Sequence, residues 1–172
     1  MGVIADWILR RVVRSALTFE AESLETYRRL RERLVGRPLA DSLGHLLEEE
    51  EHHWRILTDA AGGRLDDGQM ERVVRAHLFS GLEGIRPLEG AELLEWGPDL
   101  KRALLQEEQT FVFYSNLRRM SRIPGVRKAF ESLADMEREH VEILRRLLGT
   151  SPGAGAGRPT SEPVVDSPPA GE

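Results

Sequence analysis

The sequence predicts an all-α fold, a four-helix bundle made of two duplicated antiparallel helical hairpins joined by a long, partly helical crossover. Three observations carry this. Apolar residues recur at helical spacing along four segments. Short breaks containing Pro or Gly separate the first segment from the second and the third from the fourth, which favours antiparallel neighbours. The third observation is an internal repeat: Glu20 and Glu107, Tyr27 and Tyr114, Glu50 and Glu137, and His53 and His140 each lie 87 residues apart. The same offset pairs Leu17 with Leu104, Leu30 with Leu117, Leu46 with Leu133, Ile56 with Ile143, Leu57 with Leu144 and Gly62 with Gly149. With only two tyrosines and five histidines in the chain, composition does not account for both tyrosines and two histidines falling in register with paired glutamates.

The first helix is expected over residues 3–35, on the stripe Ile4, Trp7, Ile8, Val12, Val13, Leu17, Leu24, Tyr27, Leu30 and Leu34. Gly36-Arg37-Pro38 ends it, because proline lacks a backbone donor and disfavours helical geometry in the residue before it. The second helix, Leu39 to Ala61, follows Leu43, Leu46, Leu47, Glu50, His53 and Leu57 and stops at Gly62-Gly63. From Arg64 to Gly97 the pattern weakens into a crossover. Met70, Val73, Val74, His77 and Leu78 suggest a short helix there, Gly81–Gly90 a loop, and Ala91–Trp96 a further turn. The third helix, Pro98 to Arg122, takes proline as a first-turn residue and follows Leu100, Leu104, Glu107, Phe111, Tyr114 and Leu117. The fourth, Val126 to Leu148, carries Phe130, Leu133, Glu137, His140, Val141, Leu144 and Leu147 before a C-terminal Gly149.

The chain of 172 residues suits one domain, a bundle over 1–149, followed by a flexible tail over 150–172. The tail is rich in Gly, Pro and Ser, and its one apolar pair is Val164-Val165. A net charge of −5 gives no overall attraction to nucleic acid or to an anionic membrane. No apolar run approaches the ~20 residues that span a bilayer, and the N-terminus reads as no signal peptide, so a cytoplasmic protein is expected. The absence of cysteine excludes disulfides, thiolate metal sites, iron–sulfur clusters and a catalytic thiol. Histidine and carboxylates are left as the strong metal ligands.

Residues three apart on a helix share a face, so Glu50 with His53, and Glu137 with His140, each aim a carboxylate and an imidazole at one point. Both pairs replace leucine within an apolar stripe. Four neighbouring buried carboxylates repel one another and are costly to desolvate, so they must bind protons or surround cations. A competing register, Glu49 with His52, is rotated by about 100°; Glu48, Glu49, Glu51 and His52 are expected on a solvated face. His45 and His77 have no carboxylate three residues before them and are expected at the surface or packed in the crossover.

One Glu from each of two helices plus Glu-x-x-His from each of the other two resembles the ligand set of ferritin-like di-iron and di-manganese bundles. Glu20, Ser23 and Tyr27 on the first helix, and Glu137-Arg138-Glu139-His140 on the last, are similar to the rubrerythrin-like branch of that superfamily. The resemblance spans roughly residues 10–148. It implies that Glu50 and Glu137 bridge two iron ions (manganese being the other metal this donor set accepts), that Glu20 and Glu107 are terminal carboxylates, and that His53 and His140 each bind one ion. Tyr27 and Tyr114 would hydrogen-bond to ligands of the opposite hairpin.

The activity implied is a di-iron oxidoreductase, a peroxidase or ferroxidase. Two features depart from the peroxide-reducing rubrerythrins. Thr110 stands where they carry a second helix-3 glutamate, and this chain has no cysteine with which to form a rubredoxin domain. An external electron donor is therefore expected, as is a homodimer or larger homo-oligomer. Two other classes share the pattern: a ferritin-like protein that oxidises and stores iron, and a di-iron hydroxylase working at a membrane surface. For the last, Trp7, Ile8, Val12 and Val13 would be the lipid-facing patch on helix 1; a dimer contact or core extension is their more ordinary role.

Overall fold

The computed structural model describes residues 3–62 and 85–150; for 3–10 and Pro38 it describes the backbone alone. Among the described residues there are four helices and no strand: α1 (Val3–Arg33), α2 (Pro38–Ala61), α3 (Gly90–Met120) and α4 (Pro124–Leu147). α1 packs on α2, α3 on α4, and the two pairs meet through α1 and α3. The short crossover helix expected around Met70–Leu78, and all but the first residue of the tail expected over 150–172, lie outside the described residues. No described helix is long and apolar enough to cross a membrane.

Each break in the sequence acts through a definite backbone group. Between α1 and α2, Gly36 takes φ +81°, which a side chain would strain, and Arg37 N–H donates to Leu34 O at 2.9 Å. Pro38 and Pro124 then open α2 and α4 at first-turn positions, where no amide proton is needed. At the end of α4, Gly149 has φ +67°. Its N–H donates to Arg146 O at 3.0 Å and that of Thr150 to Arg145 O at 2.8 Å, the paired bonds of a Schellman cap.

α3 begins eight residues before the expected start. Ala91–Trp96 is not a separate turn but the first part of α3, and Pro98 lies inside the helix. The physical reason is packing. Trp96 and Gly97 are buried, and the Trp96 ring receives the guanidinium groups of Arg33 and Arg37 at 4.8 and 5.7 Å. Arg33 also pairs with Asp99 and Arg37 with Glu95, so this first part of α3 is fastened to the α1–α2 turn despite its weak local helical pattern.

Among the described residues the core consists of two apolar clusters. One gathers Leu24, Leu30, Leu34, Leu43, Leu46, Leu100, Leu144 and Leu147 with their neighbours; the other gathers Val13, Ala16, Leu57, Tyr114, Phe130 and Leu133 with theirs. Val13 is buried in the second and Val12 packs against it, so these two residues extend the core; the side chains of Trp7 and Ile8 are outside the described set. Every helix passes from one cluster to the other, and in each the residues between them include the repeated polar positions: Glu20 in α1, Glu50 and His53 in α2, Glu107 in α3, Glu137 and His140 in α4.

Candidate metal centre

All six of these residues are buried, with relative exposures of 0–1%. Apolar side chains on both sides exclude water, and the helical spacing that aligns leucines in the clusters aligns carboxylates and imidazoles in the layer between them. Two overlapping groups result. Glu20, Glu50, His53 and Glu137 form one and Glu50, Glu107, Glu137 and His140 the other, each offering ligand atoms within 4.8 Å of one another. Glu50 and Glu137 are common to both.

The contacts inside the cage are close but poorly aligned. His53 Nδ1 lies 3.5 Å from Glu20 Oε2 and 3.3 Å from Glu137 Oε1. His140 Nδ1 lies 2.8 Å from Glu50 Oε1, 3.6 Å from Glu107 Oε2 and 3.5 Å from Glu137 Oε2. The two imidazoles face each other with centroids 5.7 Å apart and planes 21° from parallel. Nevertheless Glu20 Oε2, Glu50 Oε1, His53 Nδ1, Glu107 Oε2, both oxygens of Glu137 and His140 Nδ1 have no hydrogen-bond partner among the described residues. Buried polar atoms are normally paired. A cation in each group gives these inward-facing atoms the partners they lack, and hard oxygen and imidazole donors are the right type for one.

Protonation follows from the same crowding. Burial, reinforced by Glu107, Glu137 and Glu20, holds the Glu50 carboxyl well above its ordinary range. Burial and the charge of Glu107 push Glu137 from 4.5 to about 7. Burial opposes charge on both histidines, but the carboxylates outweigh it: Glu137 and Glu20 raise His53, and Glu107, Glu137, Glu49 and Glu50 raise His140. Glu107 moves the other way, because contacts from His140 overcome its own burial. Without metal, protons neutralise the cage.

Each tyrosine reaches across to the other hairpin. Tyr27 Oη donates to Glu107 Oε1 at 2.7 Å, Ser23 Oγ donates to the same oxygen at 3.4 Å, and Tyr114 Oη donates to Glu20 Oε1. Burial, then the neighbouring carboxylates, keep both phenols protonated and therefore donors. Thr110, which matches Ser23 in the repeat, instead donates to Gln106 O within its own helix at 3.1 Å.

Two expectations about α2 are corrected. His52 is buried rather than solvated, and Glu49 turns inward, its Oε2 2.8 Å from His140 Nε2 with only 12% of its side chain exposed. Glu48 and Glu51 are exposed, Glu51 pairing with Arg28. His45 is exposed, and His77 is outside the described residues. A helix in a four-helix bundle meets more than one neighbour, so its buried arc is wider than a single stripe. The signal for Glu49 was its place immediately before a Glu-x-x-His pair, one residue round from the ligand face.

Four helices, a central layer of four glutamates and two histidines, and a twofold internal repeat define a ferritin-like bundle able to hold metal. The rubrerythrin family model matches residues 99–161, which include Glu107, Tyr114, Glu137 and His140. Over that stretch the chain is similar to rubrerythrins, the first hairpin repeats the same positions, and the match and the cluster together support a di-iron protein. No curated protein and no solved structure matches the chain.

Proposed function

We propose that the protein is a di-iron carboxylate oxidoreductase that reduces hydrogen peroxide or O₂ with oxidation of Fe(II) at its Glu4His2 cage. The observation that supports this best is the set of unpartnered oxygen and nitrogen atoms from six residues converging between two apolar clusters. Glu50 and Glu137 would bridge the ions, Glu20 and His53 would complete one set, and Glu107 and His140 the other. Two ferrous ions, when bound, supply one electron each, the pair that peroxide takes up with two protons to give two waters.

The chain's own residues provide the setting for this. Tyr27 and Tyr114 hold Glu107 and Glu20 in place from the opposite hairpin, and hydrogen-bonded ligands keep their orientation. The apolar clusters keep bulk water from the carboxylates, so their charge acts at full strength on whatever occupies the cage. An external electron donor, assembly as a homodimer or larger homo-oligomer, and a cytoplasmic location belong to the same proposal; sizing in solution tests the second.

Anaerobic Fe(II) titration followed by separate O₂ and peroxide pulses tests the chemistry. Uptake of about two ions per chain, with oxidation faster by peroxide than by O₂, is the result expected of a peroxidase. The reverse order would make the site a ferroxidase or oxygenase. Failure to take up Fe(II) or Mn(II) would end the di-metal reading.

A further inference from the structure

The repeat places the six cage residues in register, and it fails at two positions beside them. Glu49 in α2 holds His140 from behind, its Oε2 2.8 Å from Nε2. The residue 87 positions on is Met136, a buried thioether and so at best a weak acceptor. Accordingly His53 Nε2, in a fully buried side chain, has no hydrogen-bond partner among the described residues. The second break works in the same direction. Glu107 accepts from both Tyr27 and Ser23, whereas Glu20 accepts, among the described residues, from Tyr114 alone, Thr110 bonding within its own helix.

Both additional contacts fall on the group formed by Glu50, Glu107, Glu137 and His140. An imidazole that donates from its far nitrogen to a carboxylate is fixed in tautomer and ring orientation, and is a stronger ligand through the near one. A histidine without that contact lacks this second anchor on its far side.

We infer that the two metal positions are inequivalent, with Glu49 acting as a positioning residue that makes the His140 position the tighter and first-filled of the two, and the His53 position the weaker. This rests on the di-metal reading above. Electrostatic repulsion between ions sharing Glu50 and Glu137 would separate two binding steps even in a symmetric cage, so the test must assign each step to a histidine.

Calorimetric titration of Co(II) into metal-free protein does so in two backgrounds. In His53→Ala the His140 position remains, and adding Glu49→Leu should weaken it about 10- to 100-fold. In His140→Ala the His53 position remains, and Glu49→Leu should change its affinity less than about 2-fold. Glu49→Gln retains an acceptor for Nε2–H and should recover part of the loss. The full cage gives a check that needs neither alanine variant: Glu49→Leu alone should weaken the first of its two steps, and Glu49→Gln should partly restore it. Equal effects in the two backgrounds, or an unaltered first step in the full cage, would overturn the inference while leaving the two-ion site intact. A wild-type protein that binds no Co(II), Fe(II) or Mn(II) would instead overturn the reading on which it rests.

Discussion

Stripped of metal, the protein should become less stable as the pH rises from about 5 to about 8, and loading with Mn(II) should reverse that trend. In the folded chain Glu137 is raised from 4.5 to about 7. A group raised in this way adds stability in full below its ordinary pKa and loses it as the pH climbs through the folded value. The rise corresponds to ~3 kcal/mol in full, of which roughly 2.5 kcal/mol disappears between about pH 5 and pH 8. Glu50, His53 and His140 are raised too and act in the same sense. Glu107 is lowered, so its contribution is already present at the acid end and stays constant across the window. For a chain of this size Glu137 alone should cost roughly 5–10 °C in Tm. Bound metal requires these ligands deprotonated, so its stabilisation grows with pH. Thermal melts of chelator-treated and Mn(II)-loaded protein across this range, with Glu137→Gln as the control that removes the titrating group, give the result directly. A metal-free protein that is more stable at about pH 8 than at about pH 5, with the Glu137→Gln variant showing the same slope, would refute the account of the cage as a proton-neutralised carboxylate cluster.

Removing either shared carboxylate should abolish two-ion binding: Glu50→Ala and Glu137→Ala are each expected to give no measurable uptake by metal analysis after anaerobic Fe(II) loading. Tyr27→Phe should weaken metal binding about 10-fold by freeing Glu107, and lower the stability of the metal-free protein by about 1.5–3 kcal/mol, as seen by titration and by urea unfolding. Leu133→Ala, at a position with no exposure in the cluster beside the cage, should cost about 2–5 kcal/mol in urea unfolding.

Much of this molecule could be read in its sequence because the repeat supplies a second copy against which to judge each motif. Glu50 and His53 could be preferred to Glu49 and His52 as cage residues since only the former recur 87 residues later, and the structure puts the former pair inside the cage. The same criterion hid Glu49. Its contact with His140 is unique to one half, so a rule that rewards recurrence assigns it to the surface. The start of α3 was obscured differently. Local signals near Gly90, Gly97 and Pro98 favour interruption, whereas the helix there is held by Trp96 and its two arginines, partners more than fifty residues away in the chain. Hydrophobic period and proline placement locate elements from local information; long-range packing of this kind leaves no periodic trace.

The crossed tyrosines tie each half of the chain to the matching position of the other. A contact in which each half donates to the matching acceptor of the other is isologous, the arrangement found at the axis of a C2 dimer. Two identical hairpins could therefore meet in the same way without being joined. What a symmetric pair could not do is differ across its axis, because any side chain introduced in one half would appear in both. Fusion into a single chain lifts that restriction, and Glu49 against Met136 and Ser23 against Thr110 are differences that a pair of identical hairpins could not hold.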